Sequence, residues 1–350
     1  MKIKYYKELD GVRGIAALMI MTFHFFQPII PNTTTLIYIN KFIKFGQTGV
    51  SLFFVLSGFL ITRILLSTKE KSGYFLTFYI RRALRIFPLY YGFLIIYYFL
   101  INPYLYNASN LSFSTQFYYW FYLQNIADTF GWAANGPFHF WSLAVEEHFY
   151  LFWPLLVYYL NDKKIIIATI CIIIIAFITR IILESKHYEV FYFTLSRMDE
   201  LALGAILAVL ESKDKLIGQS KYFIYLFIGT ITPTIWLWTE FTNQGNPVIQ
   251  ITKFMLISLC YFSFIGYVIT TEKNTIIKKF LTLKPLLYSG KISYGLYVFH
   301  PFAFLLFIKL FKDQPFYVSL TGGFIIAYAI AALSFHFFES KFLKLKKYFQ

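Results

Sequence analysis

The chain has 350 residues, of which 58% are hydrophobic, 22% are aromatic and only 14% are charged. Soluble globular proteins carry about 25% charged residues, so this composition excludes a disordered chain or a fibre and argues against a soluble enzyme. The net charge of +15 indicates cytoplasmic loops that face anionic lipid, with no nucleic acid as partner. Cys171 and Cys260 lie in apolar runs, so we predict neither a disulfide framework nor a metal site.

Apolar runs that approach the roughly 20 residues needed to cross a bilayer recur along the whole sequence. They cover residues 12–30, 46–66, 85–101, 140–160, 164–183, 197–211, 221–239, 250–270, 291–308 and 316–338. This pattern predicts an all-α fold, a polytopic membrane helical bundle of about ten transmembrane helices forming one domain over residues 1–350. Residues 112–127 are an eleventh, doubtful run, because they are rich in aromatic residues and hold Gln116, Gln124 and Asn125, a composition typical of the membrane interface.

The distribution of Lys and Arg predicts the sidedness of the bundle. If the N-terminus is cytoplasmic and residues 112–127 do not cross the membrane, 24 of the 32 Lys and Arg residues lie on the cytoplasmic side. If residues 112–127 do cross it, the 32 residues are divided equally between the two sides. The positive-inside rule therefore favours ten spans, two cytoplasmic termini and a long external loop over 102–139. The residue usage is typical of an AT-rich bacterial genome. We expect the protein to lie in a bacterial cytoplasmic (inner) membrane.

The first predicted helix carries two ionisable side chains, Arg13 and His24. An isolated charge at the bilayer centre costs about 3 kcal/mol, so such residues are functional candidates. Eleven helical residues complete about three turns, which puts both side chains on one face about 16 Å apart. Histidine can move a proton near neutral pH, as a general base must. The alternative is a buried histidine hydrogen-bonded to a neighbouring helix.

Two arginines at the start of the third run, Arg82 and Arg85, are neighbours on a helix surface. Arginine binds phosphate through its planar fork, and this site faces the cytoplasm, where phosphorylated cofactors are found. The alternative is an ordinary positive-inside anchor. Further along, His139, Ser142 and Glu146 share one helix face, although the acid could simply sit at the interface near a helix N-terminus.

The last two candidate groups lie in the C-terminal half. Asp199 follows Arg197 and precedes Glu200, and adjacent opposite charges of this kind can neutralise one another. Tyr297 and His300 share a helix face with Ser293, and Pro301 can loosen the helix there. A functional and a structural interpretation are both open for each group.

At these positions the sequence resembles the acyltransferase-3 family of integral membrane O-acyltransferases, from about residue 5 to residue 340. The matching segments are LDGVRGIAA at 9–17 with His24 at the family spacing from Arg13, GVSLFFVLSGFLI at 49–61, Arg82 and Arg85 as Arg-x-x-Arg, and HFWSL at 139–143 with Glu146. Weaker matches are RMD at 197–199 and ISYGLY at 292–297.

The resemblance implies ten spans and transfer of an acyl group, commonly acetyl from acetyl-CoA, to a carbohydrate hydroxyl. Some family members carry an additional extracytoplasmic esterase-like domain. We expect no such domain here, so a separate extracytoplasmic transferase is a possible partner alongside membrane lipid, acyl-CoA and the glycan acceptor.

Together these lines predict a membrane O-acyltransferase that acts on a cell-surface or lipid-linked glycan. Arg82 and Arg85, aided by Arg13, bind the nucleotide end of CoA. His24, oriented by Glu146 or another acid, takes the proton from a sugar hydroxyl or first accepts the acyl group. The substrate or oxyanion candidates are His139, Ser142, Asp199, Tyr294, Tyr297 and His300.

The alternative function is a proton-coupled transporter or an exporter of a glycan or small molecule, because buried Arg, His and Glu also serve proton relays. A transporter predicts an internal repeat, and the sequence shows none. Binding of a CoA analogue would separate the two functions.

Overall fold

The computed structural model describes residues 4–27, 34–105, 112–240, 246–272, 274–312 and 314–349, and this part of the chain is helical without a strand. Ten of its helices have 18 or more residues and are numbered here in chain order. They are α1 Glu8–Phe26, α2 Gly49–Thr68, α3 Tyr74–Ile96, α4 Trp141–Tyr159, α5 Asp162–Ser185, α6 Thr194–Ser212, α7 Ser220–Glu240, α8 Pro247–Thr270, α9 Ser293–Leu310 and α10 Phe316–Leu333.

Each long helix coincides with one predicted apolar run, and eight of the described helices are long and apolar enough to cross a membrane. The prediction of an all-α polytopic membrane bundle is therefore confirmed. Helices α4 and α6 are as long as α1 but carry several ionisable side chains each. The count of ten spans and the cytoplasmic position of both termini stay predictions.

Helix α5 shows why this bundle needs lipid around it. Ile167, Ile170, Ile174 and Ile178 are all about half exposed and follow one another at helical spacing. A continuous apolar stripe of this kind is unfavourable in water, whereas hydrocarbon chains cover it without cost. The stripe is consequently a lipid-facing surface.

Helices α2 and α6 form the most extensive contact between two helices of the described structure. A Cβ atom added to Gly58 would lie 1.9 Å from the backbone oxygen of Leu201, and one added to Gly204 would lie 2.0 Å from that of Val55. Only glycine permits such backbone contact, as is common between helices in membranes. Around this seam, buried Phe54, Trp141 and Tyr297 belong to one apolar cluster.

Helix α3 corrects one boundary. The sequence predicts a charged loop up to residue 85, but α3 begins at Tyr74, directly after the left-handed Gly73. The apolar residues 74–80 continue the helical pattern, so Arg82 and Arg85 lie two to three turns inside the helix rather than at its start.

The doubtful run at 112–127 is divided between two short helices, Phe113–Trp120 and Gln124–Phe130. Each is about 12 Å long or less, well below the roughly 30 Å of the hydrocarbon core, so this stretch does not cross as one straight helix. A 3₁₀ turn at Phe138–Phe140 then leads into α4. Shorter helices occupy Thr34–Lys44, Ile276–Leu281, Lys284–Lys291 and Ser340–Leu345.

Candidate functional site

Three histidines from distant parts of the chain meet inside the bundle. His24 on α1 lies with its Nδ1 2.7 Å from Nε2 of His300 on α9. The ring of His139, from the turn before α4, has its centroid 5.3 Å from that of His300. His139 and His300 are buried, whereas His24 is half-buried. The fold thus joins three histidines that the sequence presents as separate candidates.

Tyr297 and Ser142 connect this histidine cluster to the neighbouring cavity. The Tyr297 hydroxyl donates to the backbone oxygen of His139. The Ser142 hydroxyl lies 2.5 Å from the Tyr297 oxygen and donates to it, because the tyrosine proton is already engaged. Both side chains also line the cavity, so they form a wall that the cavity and the histidine cluster share.

The cavity has a volume of about 280 Å³ and lies between α1, α2, α3, α4 and α9. Its polar lining contains most of the predicted site residues, and these are Arg13, Arg82, Arg85, Ser142, Glu146, Tyr294 and Tyr297, together with Ser57, Tyr150 and Ser293. Three guanidinium groups face one lining carboxylate, so the cavity walls carry a net positive charge.

The three arginines differ in how they are held. Arg13 forms an ion pair of 2.8 Å with Asp10, three residues earlier on α1. The guanidinium of Arg82 lies over the ring of Tyr150 at 4.1 Å from its centroid, and its buried Nε has no hydrogen-bond partner in the described structure. Arg85 is exposed toward the cavity. Among the described residues neither Arg82 nor Arg85 forms an ion pair, so both can bind an anion in the cavity, although the carboxylate of Glu146 interacts with Arg82.

Glu146 is not the hydrogen-bond partner of His24 in this structure, so the prediction that Glu146 or another acid orients His24 has no direct contact to support it. The hydrogen-bond partner of His24 is His300, whereas the carboxylate of Glu146 interacts with Ser57, Tyr150 and Arg82 on the cavity side. Seven helical residues separate His139 from Glu146, which places the acid about 10 Å deeper along α4. Glu146 therefore belongs with the arginines.

The predicted oxyanion donors have their hydroxyl protons engaged. Tyr294 donates to the backbone oxygen of Ile86 at 2.9 Å, while Tyr297 and Ser142 form the chain described above. These three hydroxyls hold α3, α4 and α9 together around the cavity. In this arrangement they could bind an oxyanion only after giving up a protein acceptor.

Asp199 lies apart from both groups. It forms an ion pair of 2.5 Å with Arg180 from α5, and both side chains are about 1% exposed. Beside it, Arg197 pairs with Glu200 at 2.9 Å. The sequence predicts that neighbouring charges neutralise one another, which holds for Arg197 and Glu200. The partner of Asp199 is Arg180, which sequence reasoning missed because helical spacing relates only residues of one helix.

The guanidinium groups that line the cavity have the chemistry to bind an anionic ligand such as a phosphate. The cavity volume of about 280 Å³ lies just below the range of roughly 300–1,000 Å³ that is usual for ligand pockets. Such a space admits a slim chain rather than a whole nucleotide.

The sequence is similar to one known protein family and to curated bacterial O-acetyltransferases. The model of the family described as "Acyltransferase domain" matches residues 6–336. The chain is 29% identical to the peptidoglycan O-acetyltransferase OatA of Listeria monocytogenes, over 97% of this chain and 56% of that protein. It is 30% identical to the O-acetyltransferase OatA of Staphylococcus aureus, over 97% of this chain and 58% of that protein.

The chain thus spans little more than half the length of the curated relatives it matches. No solved structure matches it.

Proposed function

The chain belongs to the acyltransferase family whose model covers residues 6–336, and from this membership we propose that it transfers an acetyl group from acetyl-CoA to a hydroxyl of a cell-envelope glycan. The proposed location is the bacterial cytoplasmic membrane. The names of the relatives, which act as O-acetyltransferases and in one case on peptidoglycan, support an acetyl donor and a cell-wall acceptor. The observation that carries the proposal is the guanidinium-lined cavity that shares a wall with the histidine cluster.

The donor enters from the arginine side. Arg82 and Arg85, with Arg13, bind the phosphates of acetyl-CoA, because each guanidinium offers several donors in a planar fork. The thioester arm then reaches along the cavity toward Ser142 and Tyr297, which line its wall. Because the guanidinium group is planar, these arginines set the orientation of acetyl-CoA as well as contributing to its binding affinity.

The acceptor meets the donor at the histidine side. The ring nitrogen of His24 that does not contact His300 takes the proton from a glycan hydroxyl, whose oxygen attacks the thioester carbonyl. A carbon–oxygen bond forms, the carbon–sulfur bond breaks, and the proton passes from His24 to the departing sulfur of CoA. A two-step route, in which His24 first accepts the acetyl group, would use the same nitrogen.

The test is acetyl transfer by membrane vesicles that contain the protein, radiolabelled acetyl-CoA and a glycan acceptor. A general base contributes about 10² to 10⁴ in rate, so His24→Ala and His24→Gln are both expected to lose at least about 100-fold at matched abundance. Glutamine keeps hydrogen bonding but cannot take the proton. The matched control is His336→Gln, since His336 is exposed, is not part of the cavity lining, and its ring stacks against that of Tyr288.

Retention of more than about a tenth of wild-type turnover by His24→Gln would exclude His24 as the base. If the wild-type protein binds no acetyl-CoA and forms no acetylated glycan, the acetyltransferase proposal itself is wrong, and a transporter becomes the better interpretation.

A further inference from the structure

Pro301 leaves one backbone hydrogen bond of α9 unformed. In an α-helix the N–H of each residue donates to the carbonyl four residues earlier, and proline has no N–H. The carbonyl of Tyr297 therefore lacks its usual helical donor. Nδ1 of His300 lies 2.8 Å from this carbonyl oxygen and 3.1 Å from that of Leu296. The His-Pro pair thus supplies both a free carbonyl and the side chain that binds it.

These contacts fix which nitrogen of His300 carries hydrogen. A carbonyl oxygen only accepts, so Nδ1 of His300 is the donor, and in the neutral ring Nε2 holds the lone pair. That Nε2 lies 2.7 Å from Nδ1 of His24, which is consequently the donor between the two rings. The remaining nitrogen of His24, Nε2, is then the one with a free lone pair.

We propose that His300 and Pro301 are positioning residues that hold His24 in the tautomer whose Nε2 acts as the base. This inference rests on the proposed function, in which His24 removes the proton of the acceptor. The histidine rings stack with centroids 5.0 Å apart, and the ring of Phe138 packs edge-on at 5.3 Å on His24. Orientation and tautomer are therefore both set by neighbours that do not touch the reacting atoms.

The arrangement also accommodates the charge that forms during reaction. When Nε2 of His24 takes the hydroxyl proton, the new imidazolium still donates from Nδ1 to His300, whose own Nδ1 hydrogen points at two carbonyl oxygens. These oxygens stabilise positive charge on the pair. Among the described residues no carboxylate forms an ion pair with His24 or His300, so a neutral imidazole does the orienting that an acid performs in other triads.

The experiment compares three variants at matched membrane abundance, with kcat and KM for acetyl-CoA measured separately. His300→Leu removes the acceptor, and kcat should fall about 10- to 100-fold, by analogy with the loss of a group that orients a metal-binding histidine. KM should stay within about twofold, because the donor site is untouched. In His300→Gln the side-chain oxygen can accept from His24, so this variant should recover most of the lost kcat.

Pro301→Ala restores a backbone N–H that competes with His300 for the Tyr297 carbonyl. It should lower kcat several-fold without changing KM or abundance. The control is His148→Leu, which removes another intramembrane histidine, one that bonds Thr194 at 2.6 Å. The His148→Leu change is combined in turn with His300→Gln and with His300→Leu. The ratio of kcat between these two double variants should equal the ratio between the two single variants at His300.

The inference is overturned if His300→Leu keeps wild-type kcat, or if His300→Gln is as slow as His300→Leu while both are folded. Either result leaves the acetyltransferase proposal intact, since the wild-type protein remains active in the same assay. An inactive wild-type protein, by contrast, would overturn the proposed function and this inference with it.

Discussion

At the scale of single residues, the arginines of this protein fall into two kinds. Arg180 and Arg197 are completely buried, and each has a carboxylate within 3 Å. Arg82 and Arg85 border the cavity, and the described residues give neither an ion-pair partner. Unpaired charges are costly within a membrane, so the first kind holds helices together and the second is available to an anionic ligand.

Replacing Arg82 or Arg85 with alanine should weaken binding of a non-hydrolysable acetyl-CoA analogue by about 10- to 100-fold, because a hydrogen bond to a charged group is worth about 1.5–3 kcal/mol. Lysine at either position should restore binding only in part, since it lacks the planar fork. Equilibrium binding to the purified protein in detergent measures this.

The matched control is Arg81→Ala. Arg81 is exposed, is not part of the cavity lining and contacts the backbone oxygen of Phe349 at 3.3 Å. Its removal should change affinity little. If the double variant Arg82→Ala, Arg85→Ala binds the acetyl-CoA analogue with unchanged affinity, the two arginines do not bind the donor and act only as membrane anchors.

Single candidates could be found from the sequence because a charge or a histidine in an apolar run is conspicuous. Their partners could not. Helical spacing relates only residues of one helix, whereas the bond between His24 and His300 joins positions 276 residues apart. For the same reason the sequence could not separate Glu146 from His24, nor connect Asp199 with Arg180.

At the scale of helices, the apolar runs predicted every long helix to within a few residues apart from the start of α3, because a span needs an uninterrupted apolar stretch. The predicted start of α3 is too late because the charged residues between 63 and 85 resemble a loop. The contact of α2 with α6 was not predicted, although GVSLFFVLSGFLI places Gly58 in the middle of a span. The need for glycine at position 58 becomes clear only from the backbone of Leu201, which lies against it in the structure.

Gly58→Ala tests this contact. The added Cβ would lie 1.9 Å from the Leu201 oxygen, so α2 and α6 must separate, and we expect a loss of about 1–3 kcal/mol in stability. The thermal melting temperature of the detergent-solubilised protein should fall by several degrees. Gly229→Ala is the control, because a Cβ there meets nothing within 4 Å, and helix propensity alone should keep or raise the melting temperature. Equal melting of both variants and wild type would contradict the close contact.

At the scale of the whole molecule, the candidate site has two ends, which the proposed function assigns to different sides of the membrane. Arg13 and His24 lie about 16 Å apart along α1, and the arginines line the cavity while His24 joins the histidine cluster. Acetyl-CoA is cytoplasmic, whereas a cell-envelope glycan lies outside. The proposed reaction therefore requires the arginine end to face the cytoplasm, which is the orientation that the distribution of Lys and Arg favours.

Cysteine labelling tests this orientation, because the structure supplies exposed positions on the two predicted sides. Trp132 in the predicted external loop is 51% exposed, and Ile276 in a predicted cytoplasmic loop is 87% exposed. In a background lacking Cys171 and Cys260, a membrane-impermeant maleimide should modify Trp132→Cys in intact cells. It should modify Ile276→Cys only after permeabilisation, since the bilayer then no longer excludes the reagent. The reverse pattern would place Arg82 and Arg85 outside, away from CoA, and would contradict both the ten-span orientation and the proposed donor site.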